Sequence, residues 1–223
     1  MKLTLSHKQP ETSDVQTFLL EPKTAFSWRP GQYLHYVFKH EHADNRGPER
    51  FFTIASAPFE KHVQITTRRA AEHGSSFKAA LWDAPIGTQL EADGPKGEFT
   101  LAEGEHHHVL IAGGIGITPY RSMLVQLDHD GRDPPIDLLY ANESAELVFG
   151  ELLRELTRRR PHFKLHEFIG RRLAPADLSP YAKEADSIFY LSGPRAMVEA
   201  YQQMLTDLGV PEERIKTDYF PGY

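Results

Sequence analysis

Val109-Leu110-Ile111-Ala112-Gly113-Gly114-Ile115-Gly116-Ile117-Thr118-Pro119 runs from four apolar residues straight into a glycine turn and then into a helix-start signal. An apolar run of this kind suits a strand buried on both faces of a parallel sheet, and glycines let backbone N–H groups approach a ligand with no Cβ between them. Thr118 reads as an N-cap and Pro119 as the first helical residue, where the missing N–H costs nothing. A helix starting there aims its positive end and its unpaired amides at an anion, so the segment reads as a phosphate site. The spacing departs from the ordinary G-x-G-x-x-G fingerprint, because Pro119 stands where the third glycine would. Taken alone, the segment is also compatible with a strand-turn-helix corner that binds nothing.

Downstream of this loop, apolar strands alternate with longer helical patterns, the signature of βαβ units. Candidate strands are 109–112, 136–140, 164–168 and 188–191; candidate helices are 119–127, 147–159, 174–181 and 195–208. Ligands of an open parallel sheet sit at the carboxyl ends of its strands. Residues 113–118, 141–143 and 192–194 all fall there, so three strand ends point at one crevice. Upstream the texture differs: short alternating stretches at 3–5, 15–20, 33–38, 51–54 and 63–67 are broken by turn residues such as Pro30-Gly31 and Pro85-Ile86-Gly87. That is the punctuation of a β-barrel, with one helical patch at 75–82. The change of texture falls near 101–107.

The 223 residues suffice for two small domains, each with its own core. Acidic residues outnumber basic ones, 31 to 25, for a net charge of -6 with no long basic stretch, which argues against a nucleic-acid partner. The absence of cysteine excludes disulfides, thiolate metal sites and an iron-sulfur cluster ligated by this chain. Met1 to Ser6 alternates like a strand, and no apolar run is long enough for a signal peptide or a membrane span. A cytoplasmic protein is expected.

In Arg50-Phe51-Phe52-Thr53-Ile54-Ala55-Ser56, a cation and an aromatic ring share one strand face, with a hydroxyl beside them. A flavin needs all three: Arg50 can pair with a diphosphate, Phe52 can cover a planar ring system, and Thr53 can reach the ring's polar atoms. Strict alternation puts Thr53 on the opposite face, so its contact must use the backbone or a strand end. A half-buried barrel strand with a surface arginine accounts for the same segment.

With these residues in view, the chain resembles the ferredoxin-NADP reductase superfamily over nearly its whole length and in the right order. The family's Arg-x-Tyr-Ser/Thr flavin motif is matched by Arg50, Phe52 and Thr53, with Phe52 keeping the stacking but losing the phenol. Gly74-Ser75-Ser76 resembles the Gly-x-Ser/Thr turn whose amides and hydroxyl bind the flavin diphosphate, and the resemblance sets backbone groups of Ile65 and Thr66 against the flavin. Gly94-Pro95-Lys96-Gly97 resembles the turn that closes the barrel. Gly113, Gly114, Gly116, Thr118 and Pro119 match the family's pyridine-nucleotide loop, and Ser192-Gly193-Pro194-Arg195-Ala196-Met197 matches its Cys-Gly-Pro-x-x-Met element except that Ser192 replaces the cysteine beside the nicotinamide. The C-terminal Asp218-Tyr219-Phe220-Pro221-Gly222-Tyr223 is similar to aromatic endings that cover the flavin, with Phe220 the first candidate and Tyr223 the second.

The resemblance implies an N-terminal antiparallel six-stranded Greek-key FAD-binding barrel over 1–101 and a C-terminal parallel-sheet NAD(P)-binding α/β domain over 102–223. It implies hydride transfer from NADH or NADPH to FAD, with Thr53, Ser192 and Phe220 as the catalytic residues, then single electrons to a separate ferredoxin, flavodoxin, cytochrome or oxygenase component. An electron-transfer subunit without independent turnover, or a flavin-binding module, are the other readings. Arg171 and Arg172 favour NADPH and Glu143 favours NADH, leaving the donor open. No metal site is expected: consecutive side chains of His106-His107-His108 cannot converge on one ion and read as a solvated linker, and His40-Glu41-His42-Ala43-Asp44 reads as a flexible surface loop. Arg158-Arg159-Arg160 reads as helix-dipole compensation.

Overall fold

The computed structural model describes residues 1–41, 43–69 and 74–219. Alternating inward residues build the first half. Leu3 and Leu5 of β1 (Lys2–Pro10), Phe18 and Leu20 of β2 (Val15–Pro22), and Leu34 and Tyr36 of β3 (Tyr33–Val37) join one apolar core. Phe52 of β4 (Glu49–Thr53), Val63 and Ile65 of β5 (Val63–Arg68) and Leu90 of β6 (Gln89–Lys96) complete it. Every pairing is antiparallel, in the order β4-β3-β6-β1-β2-β5. The sheet curls until its two edges meet, where the Ala55 N–H at the end of β4 donates to the Gln64 carbonyl of β5 at 3.0 Å. Helix α1 (Ser76–Asp83) caps the curl with Phe77 and Leu81.

The second half is a five-stranded parallel sheet in the order β11-β10-β7-β8-β9. Its strands are β7 (His107–Gly113), β8 (Ile136–Asn142), β9 (Phe163–Ile169), β10 (Ser187–Ser192) and β11 (Ile215–Asp218). Val109 and Ile111 face one core with Val198, Tyr201 and Leu205 of α5 (Arg195–Asp207) and Leu178 of α4 (Pro175–Ala182). Leu110 and Ala112 face another, with Tyr120, Met123 and Leu124 of α2 (Thr118–His129) and Leu153 and Leu156 of α3 (Gly150–Arg159). Covering both faces requires a continuous apolar run, which the stretch at 109–112 supplies.

The halves are packed together. Val15, Ala55 and Phe99 enter the α2-side core. Arg121 of α2 holds both oxygens of Glu60 at 2.7 and 3.0 Å and donates to the Ala55 carbonyl at 3.0 Å, while Ser122 donates to the Ser56 carbonyl at 2.6 Å. Both ion-pair side chains are mostly buried, at 12% and 16% exposed.

Two local expectations are corrected. Thr118 is not an N-cap: a 3-10 turn, Gly114–Ile117, leads directly into α2, and the Thr118 hydroxyl donates to the Ile115 carbonyl at 3.2 Å. The histidines are not a linker, because β7 begins at His107. Asp137, buried in β8, needs hydrogen-bond donors and draws His107 to 2.8 Å, His166 to 2.5 Å and the Tyr181 hydroxyl to 3.0 Å. Burial pushes the Asp137 carboxyl up, but those bonds outweigh it and hold it well below the usual range; the bond to Asp137 raises His107 in turn. The arginine run does end α3, with Arg158 and Arg159 in its last turn; Arg160 is in addition buried, 4% exposed, and engaged by the Arg132 carbonyl and by Asp133.

Candidate functional site

Strand order runs outward in both directions from the neighbours β7 and β10; α2 follows β7 onto one face of the sheet and α5 follows β10 onto the other, which leaves a crevice at their carboxyl ends. A cavity of about 1010 Å³ opens there and extends to the barrel. Phe52 and Thr53 of β4, Thr66, Thr67 and Arg68 of β5, and Lys78 of α1 line it from one side. Gly113, Gly114, Gly116, Thr118, Ser192, Gly193, Pro194 and Asp218 line it from the other.

Phe52 and Thr53 are neighbours on a strand, yet both reach the cavity because Thr53 ends β4. Phe52 is wedged against Tyr36 and Phe77, with ring centroids at 5.8 and 5.7 Å. Thr53 is buried and its hydroxyl has no hydrogen-bond partner among the described residues, although it borders a large cavity. An unsatisfied buried hydroxyl costs about 1–3 kcal/mol, which a polar ligand atom in the cavity would recover.

The glycines divide by role. A Cβ on Gly116 would lie 2.2 Å from the Ser192 carbonyl oxygen, and one on Gly113 would lie 2.2 Å from the Met197 sulfur. These two make room for the β10–α5 turn. Gly114, at φ +52, would meet only Asn142 Oδ1 at 3.9 Å on its Cβ side, so it alone of the three suits close approach to a ligand. The parallel register sets Ser192 beside Asp218, with its hydroxyl donating to an Asp218 oxygen at 3.5 Å. Burial pushes the Asp218 carboxyl up to about 7, with the Ser192 hydroxyl pulling the other way.

Some expected residues lie off the cavity. The Ile65 side chain is fully buried in the barrel core, and Pro119 is buried in α2. Arg50, Gly74, Ser75 and Ser76 form an adjoining corner that does not line the cavity. Asp44 belongs to that corner, not to a loose loop: it accepts from the Ser76 N–H at 2.8 Å and from Arg46 at 2.7 Å, and His40 contacts the Ser76 hydroxyl at 3.0 Å. Phe220 and Tyr223 lie outside the described residues. Sequence reasoning missed Arg68, Lys78 and Asp218 as lining groups; the alternation of Ile215-Lys216-Thr217-Asp218 was the available signal for the last. Glu143, Arg171 and Arg172 all line the cavity, and Arg171 is clamped by Asp177 at 2.8 and 3.0 Å. Among the described residues, no helix is long and apolar enough to cross a membrane.

Residues 110–203 match the family model described as an oxidoreductase NAD-binding domain. A flavohemoprotein of Xylella fastidiosa is 30% identical over 98% of this chain and 58% of its own length. The phenoxybenzoate dioxygenase subunit beta of Ectopseudomonas oleovorans is 33% identical over 78% of this chain and 54% of its own. The chain thus spans little more than half the length of these relatives. A ferredoxin NADP+ reductase from Neisseria gonorrhoeae, solved with bound FAD and NADP, superposes with a TM-score of 0.80 at 18% identity, covering 98% of this chain and 97% of the other. A curled antiparallel sheet followed by a parallel sheet that matches an NAD-binding family model gives this chain the fold of that reductase.

Proposed function

We propose that the chain is an FAD-dependent oxidoreductase that takes a hydride from NADH or NADPH and delivers electrons to a separate acceptor, a haem-bearing or oxygenase component. The observation that carries this reading is the unpartnered Thr53 hydroxyl, which borders the same cavity as Gly114 and the Ser192–Asp218 pair. One side suits a planar ring with polar edges; the other has the open glycine and small polar groups that a pyridine nucleotide needs. Bound FAD would supply the hydride-accepting and electron-releasing chemistry.

What the protein contributes is placement. Phe52, braced by Tyr36 and Phe77, offers a fixed apolar wall. The Thr53 hydroxyl is free to bond a ring heteroatom. Across the cavity, Ser192 keeps a small hydroxyl at the end of β10, oriented by Asp218. Because the core and the Arg121–Glu60 pair join the two halves, both sides of the cavity are held at fixed separation. The nature of the acceptor is supported by the flavohemoprotein and dioxygenase relatives, each of which is longer than this chain.

Reconstitution with FAD followed by anaerobic mixing with NADH and NADPH in parallel tests the proposal. A yellow protein bleached within seconds by at least one donor is expected. Failure to take up FAD, or a bound flavin that neither donor bleaches, refutes it.

A further inference from the structure

We propose, resting on the oxidoreductase reading, that the hydride donor is NADH and that Asp177 selects it by occupying Arg171, the arginine that would otherwise meet the 2′-phosphate of NADPH.

Sheet order fixes where each part of a dinucleotide can lie. The carboxyl ends of β10, β7, β8 and β9 follow one another across the sheet, and they bring Ser192, Gly114, Glu143 and Arg171 to the cavity in that sequence. With the nicotinamide at Ser192 and the diphosphate at Gly114, the adenosine half falls at the ends of β8 and β9. Those two ends are joined, because the Gly170 N–H donates to the Asn142 carbonyl at 2.9 Å. The charge that stands there decides whether a phosphate on the adenosine ribose is accepted or refused.

Arg171 carries the right charge, but its fork is already taken. Nη1 and Nη2 donate to the two oxygens of Asp177 at 2.8 and 3.0 Å, and Nη1 also donates to the Arg172 carbonyl at 3.2 Å. The guanidinium lies over the Phe168 ring, 4.4 Å from its centroid. Asp177 is fixed in turn, since it accepts from the Ala174 N–H at 2.8 Å in the first turn of α4. The bonds from Arg171 and then from the Ala174 N–H hold its carboxyl below the usual range, so it stands as a carboxylate. A phosphate reaching for the fork would have to displace that carboxylate and then lie beside it. Glu143, directly after β8, adds a second negative charge to the cavity lining. Arg172 offsets Glu143 as Arg171 offsets Asp177, so the adenosine end has no net positive charge to set against a 2′-phosphate bearing about two negative ones. A ribose diol needs only an acceptor for its hydroxyls, and Glu143 is one.

The test is calorimetric binding of ADP-ribose and 2′-phospho-ADP-ribose, which carry the adenosine end without the nicotinamide, to the FAD-reconstituted protein. Flavin reduction by NADH and by NADPH is followed beside it. ADP-ribose should bind at least about tenfold tighter than its 2′-phosphate, and NADH should half-saturate flavin reduction at a concentration lower by a similar factor. Asp177→Asn keeps an oxygen for the Ala174 N–H but no charge; it should narrow the gap about fivefold by tightening the 2′-phosphorylated ligand. Adding Arg171→Met to Asp177→Asn should restore the wild-type gap, because the gain runs through the released guanidinium. Where Asp177→Asn does not fold, Arg171→Met alone decides: with its charge already spent, its loss should leave the gap within about twofold of wild type. Four results overturn the assignment: equal or tighter binding of the 2′-phosphorylated ligand by wild type, an unchanged gap in Asp177→Asn, a narrowing that survives Arg171→Met, or a selective loss of the 2′-phosphorylated ligand in Arg171→Met alone. Wild-type protein that takes up no FAD, or whose flavin neither donor bleaches, instead overturns the oxidoreductase reading beneath it.

Discussion

Asp218→Asn is expected to flatten the pH dependence of stability between about pH 5 and about pH 8. In the unfolded chain this carboxyl titrates near its ordinary value of 3.8; in the fold, burial at the cavity wall pushes it up to about 7. With the folded value raised, the native state holds the proton more tightly than the unfolded chain. The stability it contributes is therefore complete below the unfolded value, and it is lost as pH rises through the folded one. Each pH unit inside that window is worth about 1.4 kcal/mol, so the interval from pH 5 upward removes at most about 3 kcal/mol. Solvent in the open cavity screens part of this and leaves about 2 kcal/mol. For a chain of this size that is roughly 4–8 °C in Tm. Asn keeps the shape and still accepts the Ser192 hydroxyl, but it carries no titratable proton. The assay is thermal and urea unfolding of wild type and variant at both pH values and one ionic strength. Taking the difference between the two proteins cancels the titration of His107 and Asp137, which both share. If wild type and Asp218→Asn lose the same stability between the two pH values, Asp218 is not a buried, proton-holding group and its place beside Ser192 is wrong.

Gly116→Ala should cost more than Gly113→Ala, about 3 kcal/mol against about 1–2, because the first Cβ meets the Ser192 backbone at 2.2 and 2.4 Å and the second meets a flexible methionine. Urea midpoints decide it, and the reverse order would show that the loop does not pack against β10 as described. Arg121→Met should cost about 3 kcal/mol by leaving the largely buried Glu60 carboxylate unpaired. Arg121→Met combined with Glu60→Gln should recover most of that loss in denaturant unfolding; additive losses would mean that the pair is not coupled across the two halves.

The parts of the fold that could be read from sequence are those where one physical demand dominates. β7 and β10 are buried on both faces, so their runs at 109–112 and 188–191 are continuously apolar and announce themselves, and in β8 only Asp137 interrupts such a run. Elements ruled by distant partners do not. His107 joins β7 because Asp137, thirty positions along, is buried and must be bonded, and nothing in His106-His107-His108 records that. The helix expected at 147–159 begins three residues later, at Gly150, because Phe149 adopts a left-handed conformation at φ 59 and residues 147–149 turn inward as a buried corner. Their apolar spacing imitates a helical face. β11 is only four residues long and half-buried, so its alternation is too brief to stand out from the C-terminal residues that follow it.

The site follows the same logic with the roles reversed. Motif residues identified the crevice, because Gly113 and Gly116 leave no room for a Cβ where the loop after β7 packs against the end of β10 and the start of α5. The motif did not reveal which demand each residue answers. All three glycines line the cavity, but Gly113 and Gly116 also yield space to the neighbouring turn. Arg50, read as a cation for a ligand, is surrounded by its own loop's carbonyls. A cation's availability depends on what already satisfies it, and Asp44, six positions before Arg50, is the residue that decides it here. Charge alternation along a strand cannot encode that competition, since it arises only when the loop at 44–50 closes over the start of α1. Asp218 shows the same principle from the acidic side: its carboxyl is set beside Ser192 by the register of β10 against β11, a pairing of strands whose sequences give no sign of one another.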